Sequence, residues 1–353
     1  MSSTYDPQRP DPSKQPVYIP VPMQPRPGPI ARLFQFLQWI AVGFIVLAII
    51  SLYLNPQALQ TDDNNLTEKY HSLSKDGTTK VAIIEVEGAI IDGDTVKKQI
   101  DKVRADTNVK AVVLRVDSPG GTVTASDYIY THLRKLTDER KLPLVVSMGG
   151  LAASGGYYVS MACGDSEDVI YAEPTTWTGS IGVIIPHYNV AGLMKKLEIQ
   201  DDSIKRGELK GVGSFTREMK PEEKAVLESL VDESYARFKD IVRSGRPKLR
   251  KDEETLTKAT TGQVFTTKQA MKLGLVDKEG FIEDAINRAI ELAHLNAATT
   301  KVVRYQRPKT FVDALVGARA ATPSIEMELQ KLLDSATPRA YYLFAFPMPE
   351  ALR

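Results

Sequence analysis

Between Thr79 and Leu295 the sequence switches repeatedly between short Val- and Ile-rich runs and stretches whose apolar residues recur at helical spacing. No other feature limits the fold of the chain as tightly. Lys80–Val86 (KVAIIEV), Val109–Val116 (VKAVVLRV), Leu142–Ser147 (LPLVVS) and Val169–Ala172 predict strands, with helices predicted between them over Asp94–Arg104, Ser126–Leu136 and Ser154–Cys163. Such alternation predicts an α/β fold, a parallel sheet with crossover helices. A long helix is expected from Pro221, a residue suited to a first turn, to Gly245, suited to the position just past the end. Its apolar stripe, Leu227, Leu230, Val231, Phe238 and Ile241, reads as core or subunit interface. A further helix is expected over Phe281–Leu295. From 297 to 353 the patterning fades, and the chain ends in the apolar, Pro-containing AYYLFAFPMPEALR.

The region before Thr79 has a different character. Residues 1–32 form a Pro-rich head, with eight prolines from Pro10 to Pro29 and few apolar residues, which predicts a flexible, partly extended segment. Residues 33–54 include Trp39–Leu54 (WIAVGFIVLAIISLYL), free of charge and, extended back through Phe36 and Phe34, close to the ~20 residues that span a hydrocarbon core. Arg26 and Arg32 precede this run, while Asp62 and Asp63 follow it. The basic side stays in the cytoplasm, so everything after a linker at 55–78 is expected outside. A cleaved signal peptide is the competing reading; the length of the run and the absence of an Ala-x-Ala site after it favour an uncleaved anchor.

Composition removes several function classes. Lys and Arg total 45 against 44 Asp and Glu, a formal charge of +1, which gives no support to a nucleic-acid reading, since that needs a basic face or stripe. The single cysteine, Cys163, rules out an intramolecular disulfide and a Cys-rich zinc site, and reads as a buried thiol. The four histidines, His71, His132, His187 and His294, never fall at His-x-x-x-His spacing, which speaks against a zinc hydrolase.

Three Gly-rich turns end predicted strands: DSPGGTV (Asp117–Val123), MGGLAASGGYYVS (Met148–Ser160) and TGSIGV (Thr178–Val183). In parallel α/β sheets, sites gather at the carboxyl ends of strands. Each turn alone is read as a tight turn; the three together, one with a serine opening a helix, point to a site. Ser154 lies between Ala152-Ala153 and Gly155-Gly156, so its hydroxyl has small neighbours, and free amides at the helix start favour a developing oxyanion. The plain reading of such a serine is a helix cap. Ala152 replaces the first glycine of the Gly-x-Ser-x-Gly elbow of α/β hydrolases.

A serine nucleophile needs a base. His71 lies near the anchor and His132 and His294 on helices, which leaves His187, after a strand, as a minor candidate. A lysine can serve if it is held neutral, which requires moving a lysine from about 10.4 to roughly 7–8 by desolvation or a nearby cation. Lys195, Lys196, Lys205 and Lys210 all remain open on the residues alone, each as readily a solvated cation.

From about Lys80 to Leu295 the chain resembles the signal peptide peptidase A family of the Clp protease/crotonase superfamily. The resemblance rests on DSPGG, MGGLAASGGYY, TGSIGV, IKRGELKGVGS (Ile204–Ser214) and GQVFTTKQAMKLGLVD (Gly262–Asp277), in the family's order. It implies a ClpP/crotonase-like spiral of β-β-α repeats over residues 79–296, here preceded by one transmembrane helix. It also implies a short, single-repeat bacterial enzyme of peptidase family S49. Ser154 falls on the nucleophile, Lys210 after Gly207 on the general base, and Ser180 on the serine that hydrogen-bonds that lysine. The backbone amide of Gly121 lines the oxyanion hole, with Gly155 as a second donor. The implied activity is a serine endopeptidase with a Ser/Lys dyad and no metal or cofactor. Its substrates would be released signal peptides and other apolar, extended segments, and the enzyme would be a homo-oligomer. With the anchor, the expected place is the bacterial inner membrane, single-pass, with the catalytic domain on the extracytoplasmic side.

The stretch Cys163–Asp168 is a few residues longer than the usual link in the family and is expected to loop out on the surface. Residues 297–353 have no counterpart. Their YYLFAF run (Tyr341–Phe346) is expected as a buried structural strand; its likeness to an extended apolar substrate also suits the groove of a neighbouring copy. Two rival functions share parts of this reading. A crotonase-like acyl-CoA enzyme would have the fold but would be cytosolic, and a catalytically silent membrane scaffold would offer the head and the oligomer surface to partners.

Overall fold

The computed structural model divides the chain into two units, Met1–Asp63 and Asn64–Arg353, and describes residues 66–307 and 340–344, together with Gln38, Val42 and Gly43. The expected membrane anchor and Pro-rich head therefore lie outside the described residues, apart from those three positions. Among the described residues no helix is long and apolar enough to cross a membrane.

The second unit is mixed α/β with a mostly parallel sheet. Its described strands are β1 (Thr67–Leu73), β2 (Thr79–Glu87), β3 (Val109–Ser118), β4 (Gly120–Thr122), β5 (Leu144–Ala153), β6 (Ile170–Ala172), β7 (Trp177–Gly179), β8 (Val264–Thr266), β9 (Lys278–Glu279), β10 (Thr300–Gln306) and β11 (Tyr341–Leu343). The helices are α1 (Asp94–Ala105), α2 (Val123–Arg140), α3 (Gly155–Ser160), α4 (Ala191–Lys196), α5 (Pro221–Gly245), α6 (Pro247–Arg250), α7 (Glu253–Ala259), α8 (Thr267–Lys272) and α9 (Ile282–Leu292). The main sheet runs β1-β10-β2-β3-β5-β6-β9, parallel from β10 to β9, with β1 antiparallel at one edge.

Both faces of the central strands are covered, which is why they read as continuous apolar runs and not as alternating ones. Val81, Ala82, Ile83 and Ile84 of β2, Val112, Val113 and Leu114 of β3, and Val145 and Val146 of β5 are all buried. Helix α1 presents Val96, Gln99, Ile100 and Val103, and α9 presents Ala285, Ile286, Ala289 and Ile290, each set at the spacing that makes one helical face. The Thr122 hydroxyl caps α2 by accepting from the Ala125 amide at 3.2 Å.

Two strands fall where the sequence pattern gives little warning. Strand β1 lies within the expected linker at 55–78, and β10 lies within the expected extension from 297, yet both join the main sheet. β10 is legible only in hindsight: it pairs in parallel with β2 and buries Val302, Val303 and Tyr305. In α5 the stripe is only partly packed. Phe238 and Val242 are buried, whereas Leu230 in the middle of the helix is exposed. The Asp165–Glu167 stretch is exposed at the surface, as its polarity predicts.

Strand β5 positions the site. Its first half pairs with β6, Val146–Met148 against Ile170–Ala172, and its second half with β7, Leu151–Ala153 against Trp177–Gly179. The change of partner falls at Gly149-Gly150. There the Asp117 carboxylate accepts from the Leu151 amide at 3.1 Å and steers the strand toward Ser154.

Candidate active site

Ser154 leaves β5 and opens α3 with φ 54 and ψ −114, a region non-glycine residues avoid. The turn is held from outside: the Ser154 amide donates to the Gly179 carbonyl at 2.8 Å, and its own carbonyl accepts from Tyr158 at 2.8 Å. The side chain is 1% exposed, and its Oγ is one of the few buried polar atoms without a hydrogen-bond partner among the described residues. It caps nothing in α3, contrary to the plain reading of a helix-opening serine.

The small residues around Ser154 are required by close backbone approach. A methyl added to Gly155 would lie 2.5 Å from the Ser126 hydroxyl and 3.1 Å from the Gly121 amide nitrogen. One added to Gly120, whose φ is +94, would lie 2.1 Å from the Tyr342 carbonyl oxygen and 2.5 Å from the Gly155 amide nitrogen. Strand β4 is thus pressed against the start of α3, and the two segments that carry the expected oxyanion donors, Gly121 and Gly155, meet there.

Ser180 follows β7, as Ser154 follows β5, and because Ala153 pairs with Gly179 the two serines leave adjacent parallel strands side by side. Ser180 has φ 50, is 6% exposed, and its amide donates to the Gln263 carbonyl at 2.7 Å. Lys210 is not brought to them. It is exposed on the segment between Pro186 and Lys220, its amide donates to the Gly207 carbonyl at 3.1 Å, and neither serine hydroxyl bonds its ammonium. The same segment exposes Tyr188, Leu197, Ile199, Ile204 and Phe215, with Ile204 94% exposed. His187, the alternative base, has its Nε2 3.2 Å from the Ser214 carbonyl. Cys163 is buried, and desolvation pushes its thiol up to about 12, so it stays protonated and inert.

The tail forms a strand over Tyr341–Leu343 with Tyr342 buried, as its apolar run predicts, but its partners were not legible in the sequence. Strand β11 runs antiparallel to β4 of the same chain, with Tyr341, Tyr342 and Leu343 opposite Thr122, Gly121 and Gly120, and Tyr341 bridges to Ile184 on its other side. An extended segment thus lies between the β4 strand and the segment after the Thr178–Val183 turn. Tyr342 is fully buried, stacked on Tyr158 at 5.0 Å between ring centres and tilted against Phe238 at 4.6 Å. Tyr158 is fixed in turn: its hydroxyl donates to Asp127 at 2.6 Å, and Arg237 holds that carboxylate at 2.5 Å. Burial, then the bond to Asp127, keeps the Tyr158 phenol well above its ordinary value. From Ala340 a groove of about 890 Å³ continues past Ile91, Asp92, Tyr128, Leu227 and Leu230. The aromatic residues of the tail were visible in the sequence, but their partners were not. Among the described residues no group of three His, Cys, Asp or Glu side chains is placed to hold a metal.

Comparison with known proteins adds identity. The sequence model of peptidase family S49 matches residues 137–296, a span that holds Ser154, Ser180 and Lys210. A candidate protease of Synechocystis sp. is 38% identical over 258 residues, covering 72% of this chain and 87% of that protein. Protease 4 of Salmonella typhi is 33% identical over 292 residues, covering 79% of this chain but 45% of that longer one. A candidate signal peptide peptidase SppA of Enterococcus faecium is 33% identical over 256 residues, covering 70% of this chain and 72% of that one. The motif resemblance and these relatives agree: the chain belongs to peptidase family S49.

Proposed function

We propose that the chain is a membrane-anchored serine endopeptidase of ClpP/crotonase-like fold that cleaves apolar, extended segments such as released signal peptides. The observation that carries this reading is Ser154: a strained, buried, unpartnered hydroxyl beside the crowded Gly121 and Gly155 amides, with an extended segment of polypeptide already seated along β4. In the proposed reaction Lys210, neutral, takes the Ser154 proton as Oγ attacks the peptide carbonyl carbon. The Gly121 and Gly155 amides hold the resulting oxyanion. The proton then passes to the leaving amine, and water hydrolyses the acyl-enzyme by the reverse path. Ser180 orients the lysine.

Lys210 must move relative to the isolated chain for this to occur. The apolar side chains exposed around it support a homo-oligomer in which a second copy covers this segment and completes the site. The bacterial inner membrane, with the domain outside, is the proposed location and rests on Arg26 and Arg32 before the apolar run. A catalytically silent scaffold is the reading that an exposed Lys210 favours. A fluorophosphonate probe on the full-length protein in detergent separates the two. Labelling at Ser154 that is lost in Ser154→Ala supports the peptidase, and a folded, unlabelled wild type supports the scaffold.

A further inference from the structure

The direction of the Gly121 amide is set from the edge of β4 that faces away from Ser154. There the Ile90 amide donates to the Gly120 carbonyl at 2.8 Å and the Thr122 amide donates to the Ile90 carbonyl at 2.9 Å, a parallel bridge of Ile90 opposite Gly121. In an extended strand the backbone groups of successive residues point to opposite edges. The Gly121 N–H therefore faces away from Ile90, toward the start of α3, where a methyl on Gly155 would lie 3.1 Å from its nitrogen. One buried side chain ties these pieces together. The Ser118 Oγ, at the end of β3, donates to the Gly88 carbonyl at 2.6 Å and accepts from the Gly120 amide at 3.0 Å. Its single proton is committed to Gly88, which leaves its lone pairs for Gly120. The Ser118 backbone also abuts α3, since a methyl on Gly156 would lie 2.8 Å from the Ser118 carbonyl oxygen.

We propose that Ser118 is a positioning residue for the oxyanion site: its hydroxyl bridge holds the Gly121 amide on the oxygen of the carbonyl that Ser154 attacks. The inference rests on Ser154 being the nucleophile and goes further, to the side chain that aims the donor. Ser118 bonds only to the backbone of Gly88 and Gly120, so it acts through them. Gly120, at φ +94, has no side chain to steer it, and Pro119 before it has no N–H to anchor the turn. The orientation of this stretch rests on the bonds to its peptide groups. With alanine at 118 the buried Gly120 amide loses the Ser118 oxygen, and the segment that carries Ile90 loses its tie to the same residue. The Gly120 peptide then turns toward another acceptor and carries Gly121 with it. An oxyanion donor acts on the charge that develops during reaction, so the loss falls on turnover and spares substrate binding.

The test uses the full-length chain in detergent, an apolar fluorogenic peptide, a peptidyl boronate of the same sequence, and a reduced-amide analogue that lacks the reacting carbonyl. Ser118→Ala should lower kcat about a hundredfold and leave KM within about twofold, the scale set by one misplaced oxyanion donor. The boronate inhibition constant should rise by the factor that kcat/KM falls, because its tetrahedral adduct carries the oxygen that Gly121 binds. The reduced-amide analogue should bind as it does to wild type. The acid-side midpoint of the pH–rate profile should stay in place, since Ser118 does not act on Lys210. Ser118→Cys keeps the side-chain shape with a weaker donor and acceptor and should fall between wild type and alanine; it carries the test if the alanine variant does not fold. Thr300→Val is the control for stability. It removes a buried hydroxyl that donates to the Asn296 carbonyl at 2.8 Å on β10, and should keep wild-type kcat. Wild-type kcat in the folded Ser118 variants would overturn the positioning role. So would reduced-amide binding weakened as much as boronate binding, or an equal loss of kcat in Thr300→Val. Failure of wild-type Ser154 to react with a fluorophosphonate would instead sink the peptidase reading, and this inference with it.

Discussion

Ser154 combines a backbone conformation that its residue type avoids with a buried hydroxyl that nothing among the described residues satisfies. Both are costs, and the surrounding turns hold the residue there despite them. Replacing Ser154 by Ala removes an unsatisfied buried polar atom and no cap, so thermal unfolding should occur at or above the wild-type temperature while peptidase activity disappears. A drop of several degrees would show that the hydroxyl has a partner. Lys210→Ala should be equally inactive, and Lys210→Arg should not rescue it, because a guanidinium does not give up its proton. Ser180→Ala should be milder, since in the proposed mechanism that hydroxyl only orients the amine; assays on an apolar fluorogenic peptide measure all three. Gly120→Ala is expected to be inactive, because its methyl would fall 2.1 Å from a backbone carbonyl at φ +94, where alanine is strained. Gly192→Ala, with nothing within 4 Å, is the control and should behave as wild type or slightly more stable.

The elements around the site are tied together by one buried ion pair far from Ser154 in sequence. Arg246, after α5, donates to Asp277 at 2.6 and 3.1 Å, the two side chains being 5% and 10% exposed. Asp277 also accepts from the Val169 and Ile170 amides at 3.0 and 2.9 Å, and Arg246 donates to the Gly274 carbonyl at 2.7 Å. These contacts fasten α5 and the turn after α8 to β6. Burial alone would raise the Asp277 carboxyl, but the Arg246 bond and charge overturn that and hold it below its ordinary value. A depressed carboxylate contributes stability that is complete above the unfolded value, about 4, and is lost as pH falls through the lower folded value. Asp277→Asn should therefore lower stability by about 3–5 kcal/mol at neutral pH, because Arg246 is left buried without its counter-charge. It should also flatten the acid side of the stability profile, as measured by urea unfolding between about pH 2 and 6. A variant that matches wild type at pH 7 would show the pair to be energetically idle. The GQVFTTKQAMKLGLVD motif gains a physical meaning here, since it delivers β8, which pairs with β7 beside Ser180, and ends on Asp277.

At the scale of the whole molecule, the exposed apolar segment around Lys210 is the feature that a single chain leaves unfinished. Ile204→Asp and Tyr188→Asp together should reduce oligomer size by analytical ultracentrifugation and lower activity, with the circular dichroism of the domain unchanged. Wild-type size and activity in that variant would remove the oligomer from the mechanism. The proposed anchor carries a separate prediction: protease added to spheroplasts should degrade the chain after Leu54, and full protection would overturn the topology.

Much of the scaffold and half of the site were legible in the chain itself. Strands β2, β3 and β5 announce themselves because burial on both faces demands continuous Val and Ile. The Gly120-Gly121, Ser154-Gly155-Gly156 and Gly179-Ser180 turns do so because tight backbone approach is a local demand that only certain residues meet. Sequence-distant pairings left no such mark. Nothing in β10 or β11 names β2 or β4 as partner, since a strand's hydrogen bonds are made by backbone atoms common to every residue. Arg246 and Asp277, or Tyr158, Phe238 and Tyr342, look like ordinary surface charges and core aromatics until the fold brings them together. By itself the sequence determined the α/β class, the serine at the start of a short helix and the glycines that surround it, because these follow from local sterics and periodicity. Only the tertiary structure decided that the tail lies along the Gly-rich strand with Tyr342 in an aromatic cavity, and that Lys210 stands exposed in the isolated chain, because both depend on which distant segments the packed core leaves adjacent.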